Sequence, residues 1–249
     1  MSVGARYIPT SVGNPYRVRR FALCRPLIDR TLAERGRCVI VDLGGSLSYW
    51  TVCAPDLLDD ERVALDLINL RHDPSERAAL GAIKGQVRFL HGDARRLDDV
   101  ADGAYDVLHS NSVIEHVGQW ADMVAMAQEV SRVARLHYVQ TPYWGFPMEP
   151  HFRAPFFHWL PEQWRARLLL RFHLNFGARP TDFSSAMAIV QSAALLDRRQ
   201  FASLFPRSSI YSEIVRGFTK SLIAIGGEGM APEPASNTRK LRVPSRVVP

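Results

Sequence analysis

The fold of this chain is decided by residues 39–46, which read Val39-Ile40-Val41-Asp42-Leu43-Gly44-Gly45-Ser46. An apolar run ends at an acidic residue, and two glycines follow after one spacer. This order is typical of a first parallel strand that runs into a tight turn around a nucleotide-like cofactor. Glycine suits that turn because a side chain would block close approach of the backbone and would disfavour a positive φ. The stretch therefore predicts an α/β fold with a cofactor site at the turn.

Apolar runs and helical periodicity alternate on either side of this stretch. The first strand covers residues 38–43 and follows a helix at 21–35, in which Pro26 is expected in or before the first turn. Such alternation is typical of a doubly wound α/β sheet. Two strands that flank Gly217 predict an antiparallel pair at one edge. The remaining predicted elements are strands at 63–68, 87–90, 105–109, 136–140, 210–215 and 218–225 and helices at 117–133, 161–172 and 184–196.

The chain is predicted to form one domain with less regular segments attached. That domain covers residues 1–226, and its first 20 residues form a loose N-terminal arm. Residues 142–206 are rich in Pro, His and aromatic residues and predict an insertion after strand five, which would act as a lid and select the substrate. Residues 227–249 carry Gly, Pro, Ser and charges but few large apolar groups, so they predict a disordered basic tail.

Composition excludes several classes of protein. The 249 residues are 47% hydrophobic, which is enough to build one globular core. The net charge of +6 comes partly from arginines and lysines dispersed at the two ends. Dispersed charge is typical of a solvated surface rather than of a nucleic-acid groove, so no nucleic-acid partner is expected. An acidic substrate or an anionic membrane surface stays open.

The cysteines and the apolar segments bear on location. Cys24, Cys38 and Cys53 lack close pairing and metal-ligand spacing, which predicts reduced thiols and a cytoplasmic protein. The N-terminal end has no apolar core of a signal peptide, and no stretch approaches 18 apolar residues. We therefore expect neither a signal peptide nor a transmembrane segment.

Three segments resemble the class I S-adenosylmethionine-dependent methyltransferases. They are Val-Asp-Leu-Gly-Gly (41–45), Gly-Asp-Ala (92–94) and Tyr-Asp-Val-Leu-His-Ser-Asn-Ser-Val-Ile-Glu-His-Val (105–117), and the third resembles the methyltransferase-11-like group. The resemblance covers residues 36–142 strongly and 208–226 weakly. It implies a Rossmann-like seven-stranded sheet of order 3-2-1-4-5-7-6 with strand seven antiparallel. It also implies S-adenosylmethionine as methyl donor and S-adenosylhomocysteine (SAH) as product.

Polar residues at the carboxyl ends of the predicted strands are the candidates for cofactor binding, because ligands of open α/β sheets bind there. Asp66 or Asn69 would accept the ribose hydroxyl hydrogens, and Asn69 lies closer to the expected strand end. Asp93 would accept a hydrogen bond from the adenine amino group. Ser110 and Asn111 would line the floor under the methionine portion. The complete candidate set is Asp42, Gly44, Gly45, Ser46, Asp66, Asn69, Asp93, Ala94, Ser110 and Asn111.

The first motif departs from the pattern of the family, in which two more glycines are usual. Ser46 and Ser48 stand in their place, and Ala134-Arg135 replaces the Gly-Gly pair usual before strand five. These departures leave open a catalytically inactive module that only binds the cofactor or regulates. A nicotinamide-dependent oxidoreductase is disfavoured because Gly-x-Gly-x-x-Gly is missing.

The candidate catalytic residues follow strands four and five. Glu149 and His151 lie in an aromatic loop where methyltransferases usually admit substrate, and they could act as a general base on an O or N nucleophile. A structural pair that holds the loop is the alternative. His116 is a further candidate, with helix capping as its alternative. No metal site is predicted, because Glu149, His151 and His158 lack a third histidine at regular spacing.

The acceptor is not specified by any motif. A small molecule, a glycan or a lipid is favoured over a protein. The aromatic residues after strand five would form either a core or an acceptor-binding surface, and they are Trp144, Phe146, Phe152, Phe156, Phe157 and Trp159.

Overall fold

The computed structural model describes residues 15–83, 85–231 and 240–242. Its centre is one mixed sheet of order β3-β2-β1-β4-β5-β7-β6-β8. The first five strands run parallel to their neighbours, whereas β7 is antiparallel to β5 and to β6. This confirms the predicted seven-strand order, and a short eighth strand extends it. The strands are β1 (Cys38–Leu43), β2 (Val63–Asn69), β3 (Gln86–His91), β4 (Tyr105–Asn111), β5 (Ala134–Pro142), β6 (Ser209–Val215), β7 (Phe218–Gly227) and β8 (Lys240–Arg242).

Helices cover both faces of the sheet. They are α1 (Pro15–Arg35), α2 (Leu47–Cys53), α3 (Pro55–Leu58), α4 (Pro74–Ala78), α5 (Trp120–Val133), α6 (Glu162–Arg171), α7 (Phe183–Val190) and α8 (Arg198–Leu204). Short 3₁₀ turns lie at Ala79–Ala82, Ile114–His116 and Phe157–Trp159. Within the described part of the chain, no helix combines the length and hydrophobicity needed to cross a membrane.

Two hydrophobic clusters lie on the two faces of the sheet. On one face Phe21 and Ile28 of α1 pack with Trp50 of α2. On the other face Met126 of α5 packs with Phe201 of α8. Parallel strands covered on both faces are buried throughout, which explains why β1 reads as an apolar run broken only by Asp42 and why Asp106 and His109 of β4 are buried.

The first helix begins earlier than predicted. It starts at Pro15 and contains Pro26 in its interior, so the expectation that Pro26 lies in or before the first turn was wrong. Residues 15–20 carry no apolar stripe, but Arg20 is buried because its Nη1 donates to Glu213 Oε2 over 3.2 Å. That contact joins residues far apart in the chain, and hydrophobic periodicity does not report it. The loose arm predicted at residues 1–20 is therefore helical from Pro15 onward, and residues 1–14 lie outside the described residues.

The predicted insertion is divided by the structure. Helix α6 matches the predicted helix at 161–172, whereas the one predicted at 184–196 ends at Val190. The insertion has a small core of its own, which includes Phe152, Leu169 and Val190. Helix α8, which the sequence analysis missed, packs Phe201 into the main core instead.

The predicted tail, residues 227–249, is only partly described. Gly227 closes β7 with a φ of 127°, and a Cβ there would lie 2.1 Å from the carbonyl oxygen of Arg135. Strand β8 pairs in parallel with β6, at Ser212–Ile214. The prediction of disorder therefore does not hold at Gly227 or at 240–242. Residues 232–239 and 243–249 lie outside the described residues.

Candidate active site

The turn after β1 needs both of its glycines for contacts within the protein. Gly44 has a φ of 71°, and a Cβ built on it would lie 2.4 Å from Cγ2 of Val113. A Cβ on Gly45 would lie 1.9 Å from Oδ2 of Asp42. The backbone of the turn is thus pressed against side chains from the ends of β1 and β4. A larger residue at either position would disturb the protein itself as well as any cofactor.

Asp42 lies beneath this turn and holds it to α2. The residue is 1% exposed, and its Oδ2 accepts a 2.7 Å hydrogen bond from Trp50 Nε1. Its Oδ1 lies 2.8 Å from Nδ1 of His109, whose Nε2 lies 3.2 Å from the Tyr49 hydroxyl. Because a carboxylate only accepts, His109 carries its proton on Nδ1 and accepts from Tyr49. The structure thus gives Asp42 protein partners at both of its oxygens.

Ser46 begins the helix that follows the turn. Its Oγ accepts a 3.2 Å hydrogen bond from the backbone N–H of Tyr49, which makes it the N-cap of α2. The Oγ of Ser48 lies 3.0 Å from the Oγ of Ser46. The departure from the glycine-rich pattern therefore has a structural cause, because the chain enters a capped helix directly after Gly45.

The two ribose candidates have different surroundings. Asp66 lies in the middle of β2, 1% exposed, and accepts from Arg88 Nε at 2.6 Å, Arg88 Nη2 at 2.5 Å and the Tyr105 hydroxyl at 2.9 Å. Asn69 is the last residue of β2 and is half-buried, and its Nδ2 donates to the carbonyl oxygen of Gly45 over 2.7 Å. Asn69 therefore borders the turn, whereas Asp66 is occupied by protein partners three residues earlier.

Asp93, after β3, is paired with an arginine. Its carboxylate accepts from Nε, Nη2 and the backbone N–H of Arg95, at 2.6–3.1 Å. These bonds from Arg95 lower the pKa of the Asp93 carboxyl. Arg95 also donates to Asp122 over 3.0 Å, at the start of α5. Ala94 is half-buried and packs against the core on that face.

Ser110 and Asn111 lie at the end of β4. Ser110 is fully buried and donates to the carbonyl oxygen of Leu43 over 3.2 Å. Asn111 is half-buried, and its Oδ1 accepts from Arg20 Nη2 over 3.4 Å. The next residue, Ser112, has a φ of 59° and donates to Gln140 Oε1 over 3.0 Å. The ends of β1, β4 and β5 and the first helix are thus tied together at one edge of the sheet.

The three catalytic candidates form a chain of contacts from Glu149 through His151 to His116. Glu149 is 2% exposed, and its Oε1 is hydrogen-bonded to Nδ1 of His151. Nε2 of His151 lies 2.9 Å from Nε2 of His116, whose Nδ1 is 2.8 Å from the carbonyl oxygen of Ser192. Burial opposes protonation of His151, but the hydrogen bond to Glu149 raises the pKa of its imidazole overall. From the sequence, His116 was expected to open the following helix. In the structure it ends a 3₁₀ turn instead.

Glu115 joins this group, although the sequence analysis gave it no role. It is 1% exposed, and its Oε2 accepts a 3.0 Å hydrogen bond from the hydroxyl of Thr141 at the end of β5. Its Oε1 has no hydrogen-bond partner among the described residues. Burial raises the pKa of this carboxyl. The only sequence signal was its place next to His116 in the segment after β4.

Other residues considered together with this group lie apart from it. His158 Nε2 is 2.7 Å from the carbonyl oxygen of Trp144 and does not reach Glu149 or His151. Of the aromatic residues, Phe152 and Phe157 are buried in the core of the insertion. Trp144, Phe156 and Trp159 are about half exposed, and the ring centroid of Trp159 lies 6.1 Å from that of Trp144 and 5.0 Å from that of Phe156.

Comparison with known proteins agrees with this architecture. Residues 56–136 match a protein-family model described as a methyltransferase domain. The structure resembles the PH0226 protein from Pyrococcus horikoshii OT3, with 15% identity over 89% of this chain and 96% of that chain and a TM-score of 0.54. It also resembles the N-terminal domain of EvdMO1 in the presence of SAH and D-fucose, with 16% identity over 91% of this chain and 88% of that chain and a TM-score of 0.50.

At these identities the structural likeness shows the fold alone. No curated protein is significantly similar to the chain in sequence. Residues 56–136 match a methyltransferase domain, and the order of the first seven strands, with β7 antiparallel, is the one that the resemblance to the class I S-adenosylmethionine-dependent methyltransferases implied.

Proposed function

We propose that this protein transfers a methyl group from S-adenosylmethionine to an O or N nucleophile held at the Glu149–His151–His116 group. The observation that carries the proposal is the gathering of polar residues at the carboxyl edge of one sheet. The turn at Gly45, with Asn69 beside it, lies over β1 and β2. The histidine pair lies beyond β4 and β5, where Glu115 contacts Thr141.

The cofactor would occupy the first of these two regions. We assign the ribose to Asn69, because Asp66 already accepts three hydrogen bonds from the protein. The adenine would lie by Asp93 and Ala94, and the methionine portion by Gly44–Ser46, Ser110 and Asn111. Asp42 supports the turn from below through Trp50 and His109.

Methyl transfer requires the protein chiefly to position the methyl donor and the acceptor. The methyl carbon of a sulfonium is already activated, so the enzyme must hold donor and acceptor in line and exclude water. Glu149 fixes the ring of His151, and the two histidines would contact the acceptor atom. A proton leaving that atom would be received within this group.

The acceptor is proposed to be a small molecule, a glycan or a lipid. The exposed rings of Trp144 and Trp159 on the insertion support an acceptor with an apolar or sugar-like face, because aromatic surfaces pack against such groups. We also propose a cytoplasmic location, since Cys24, Cys38 and Cys53 are all free thiols.

Two measurements test the proposal. Calorimetric titration of the full chain with SAH and, separately, with NADH should show binding of SAH only. Incubation with radiolabelled S-adenosylmethionine and a cell extract should then label an acceptor. SAH binding without any methyl transfer would mark an inactive binding module, and failure to bind SAH would refute the proposal.

A matched pair of variants ties the activity to the histidine pair. His151→Ala should lose the labelling, whereas His173→Ala should keep it. His173 is exposed on the insertion, where its Nε2 lies 2.8 Å from the carbonyl oxygen of Gly177. Equal labelling by both variants would place the acceptor elsewhere.

A further inference from the structure

The two histidines at the acceptor end approach each other at Nε2, and two neutral rings protonated at Nδ1 would both be acceptors there. The carbonyl oxygen of Ser192 can only accept, so Nδ1 of His116 must carry a proton. The carboxylate of Glu149 likewise accepts a hydrogen bond from Nδ1 of His151. Each neutral ring then presents the lone pair of its Nε2 to the other, across 2.9 Å. That approach is repulsive unless a cation lies between the two nitrogens.

Glu115 supplies a third acceptor atom that has no donor within the described part of the chain. Its Oε2 is satisfied by Thr141, whereas its buried Oε1 has no partner among the described residues. A buried acceptor without a donor is costly. One atom each from Glu115, His116 and His151 lie within 4.8 Å of one another. A proton shared by the two rings would relieve the histidines and would leave Glu115 Oε1 unsatisfied.

We propose that Glu115, His116 and His151 bind a divalent transition-metal ion, for which Zn²⁺ is the best fit. Two imidazoles and one carboxylate, with one position left for water or substrate, form a known catalytic zinc ligand set. A tetrahedral ion with bonds of about 2.1 Å spaces its ligand atoms about 3.4 Å apart, so the rings need to separate only slightly. No metal was predicted from the sequence, because Glu149, His151 and His158 lack a third histidine at regular spacing and Glu115 was given no role.

The surroundings of the three residues are those that metal ligands usually have. A ligating histidine commonly donates its other ring N–H to a carboxylate or a backbone carbonyl, which fixes the ring. Here Glu149 takes that place for His151, and the Ser192 carbonyl takes it for His116. Glu115 and His116 come from the turn after β4, whereas His151 comes from the insertion. The ion would therefore also fasten the insertion to the sheet.

The consequence for catalysis rests on the proposed function. An acceptor hydroxyl bound at the remaining position would lose its proton to solvent near neutral pH, since such an ion lowers the pKa of bound oxygen. The oxygen would then form a bond to the methyl carbon as the carbon–sulfur bond breaks, and that electron pair would stay on sulfur in SAH. In this arrangement His151 is a ligand rather than a base.

Metal binding can be tested without knowing the acceptor. The full chain, stripped with EDTA and dialysed, would be titrated with Co²⁺ and followed by visible absorption, and with Zn²⁺ followed by calorimetry. We expect one ion per chain, with an affinity at least tenfold weaker in His116→Ala, His151→Ala and Glu115→Gln. His173→Ala is the matched histidine control and should bind as the wild type does. An unchanged affinity in the first two variants, or no Co²⁺ band, would overturn the proposal.

Two further readouts keep the test decisive. If Glu115→Gln does not fold, Glu149→Gln replaces it, and loss of a partner of this kind should weaken binding about 10–100-fold. SAH affinity is measured on the same samples. A protein that binds SAH but no ion would refute the metal site and leave the methyltransferase function standing. A protein that binds the ion but no SAH would support the metal site and refute the methyltransferase function.

Discussion

Replacement of Asn69 and of Asp66 by alanine should have opposite consequences. Asn69→Ala should weaken SAH binding about fivefold, because a lost ribose hydrogen bond costs about 1 kcal/mol. The same change removes one half-buried bond to Gly45 and should lower the free energy of unfolding by only about 1 kcal/mol. Asp66→Ala should leave the affinity for SAH within about threefold, a cost below that of one hydrogen bond.

The cost of Asp66→Ala should appear in stability. The variant leaves the hydroxyl of Tyr105, a residue that is 6% exposed, without its acceptor, which costs about 1–3 kcal/mol. The ion pair with Arg88 adds at most about 1 kcal/mol, because that side chain is 66% exposed. The sum of about 1–4 kcal/mol corresponds to a fall in melting temperature of roughly 2–16 °C for a chain of this size.

The assay combines two measurements on each variant. Urea unfolding gives the free energy of unfolding, and calorimetric titration with SAH, well below both melting temperatures, gives the affinity. The reasoning fails if Asp66→Ala loses more affinity than Asn69→Ala while both proteins are folded. It also fails if Asp66→Ala is as stable as the wild type.

Three other variants test separate parts of the structure. Gly45→Ala should lower the free energy of unfolding by about 1–3 kcal/mol, because its Cβ would overlap the Asp42 carboxylate. Gly81→Ala is the control and should not lower it, because nothing lies within 4 Å of the added Cβ. Equal melting temperatures for the two variants would contradict this. Burial lowers the pKa of His137 to about 4, so the unfolded chain takes up the proton first and stability falls as pH drops below about 6.5. Between pH 7 and pH 5, the free energy of unfolding should fall by about 2 kcal/mol less in His137→Gln than in the wild type. An equal fall in both proteins, measured by urea unfolding, would disprove this. With an identified acceptor, His151→Ala should lower kcat about 10²-fold or more at nearly constant SAH affinity, and parallel losses of stability and SAH affinity would indicate a structural clamp.

The sheet was readable from the sequence because its strands are buried on both faces. Residues 38–43 form an apolar run broken only by Asp42, and residues 105–109 carry Tyr105, Val107 and Leu108; both strands were found, the second with two residues missing at its polar end. The start of α1 was not readable, because a buried ion pair between Arg20 and Glu213 takes the place of an apolar stripe. The pairing of β8 with β6 was missed because only three residues take part.

The candidate site was readable where it follows the strand ends and unreadable where it depends on tertiary partners. The turn at Gly45 and the polar residue Asn69 could be placed from strand boundaries alone. The partners that occupy Asp66 come from two other strands, and no spacing rule connects them. The contact between His116 and His151 joins residues 35 positions apart, through the path of an insertion whose fold has its own small core.

A crystal structure of the complex with SAH is the measurement that bears most directly on methyl transfer at this edge of the sheet. It should show the ribose hydroxyls at Asn69 and the sulfur over the ends of β4 and β5. The sulfur should point at the Glu115–His116–His151 group, so that an acceptor atom there would lie about 3–3.5 Å from a transferred methyl carbon. SAH bound away from this edge, or with its sulfur turned from the histidines, would contradict the proposed function.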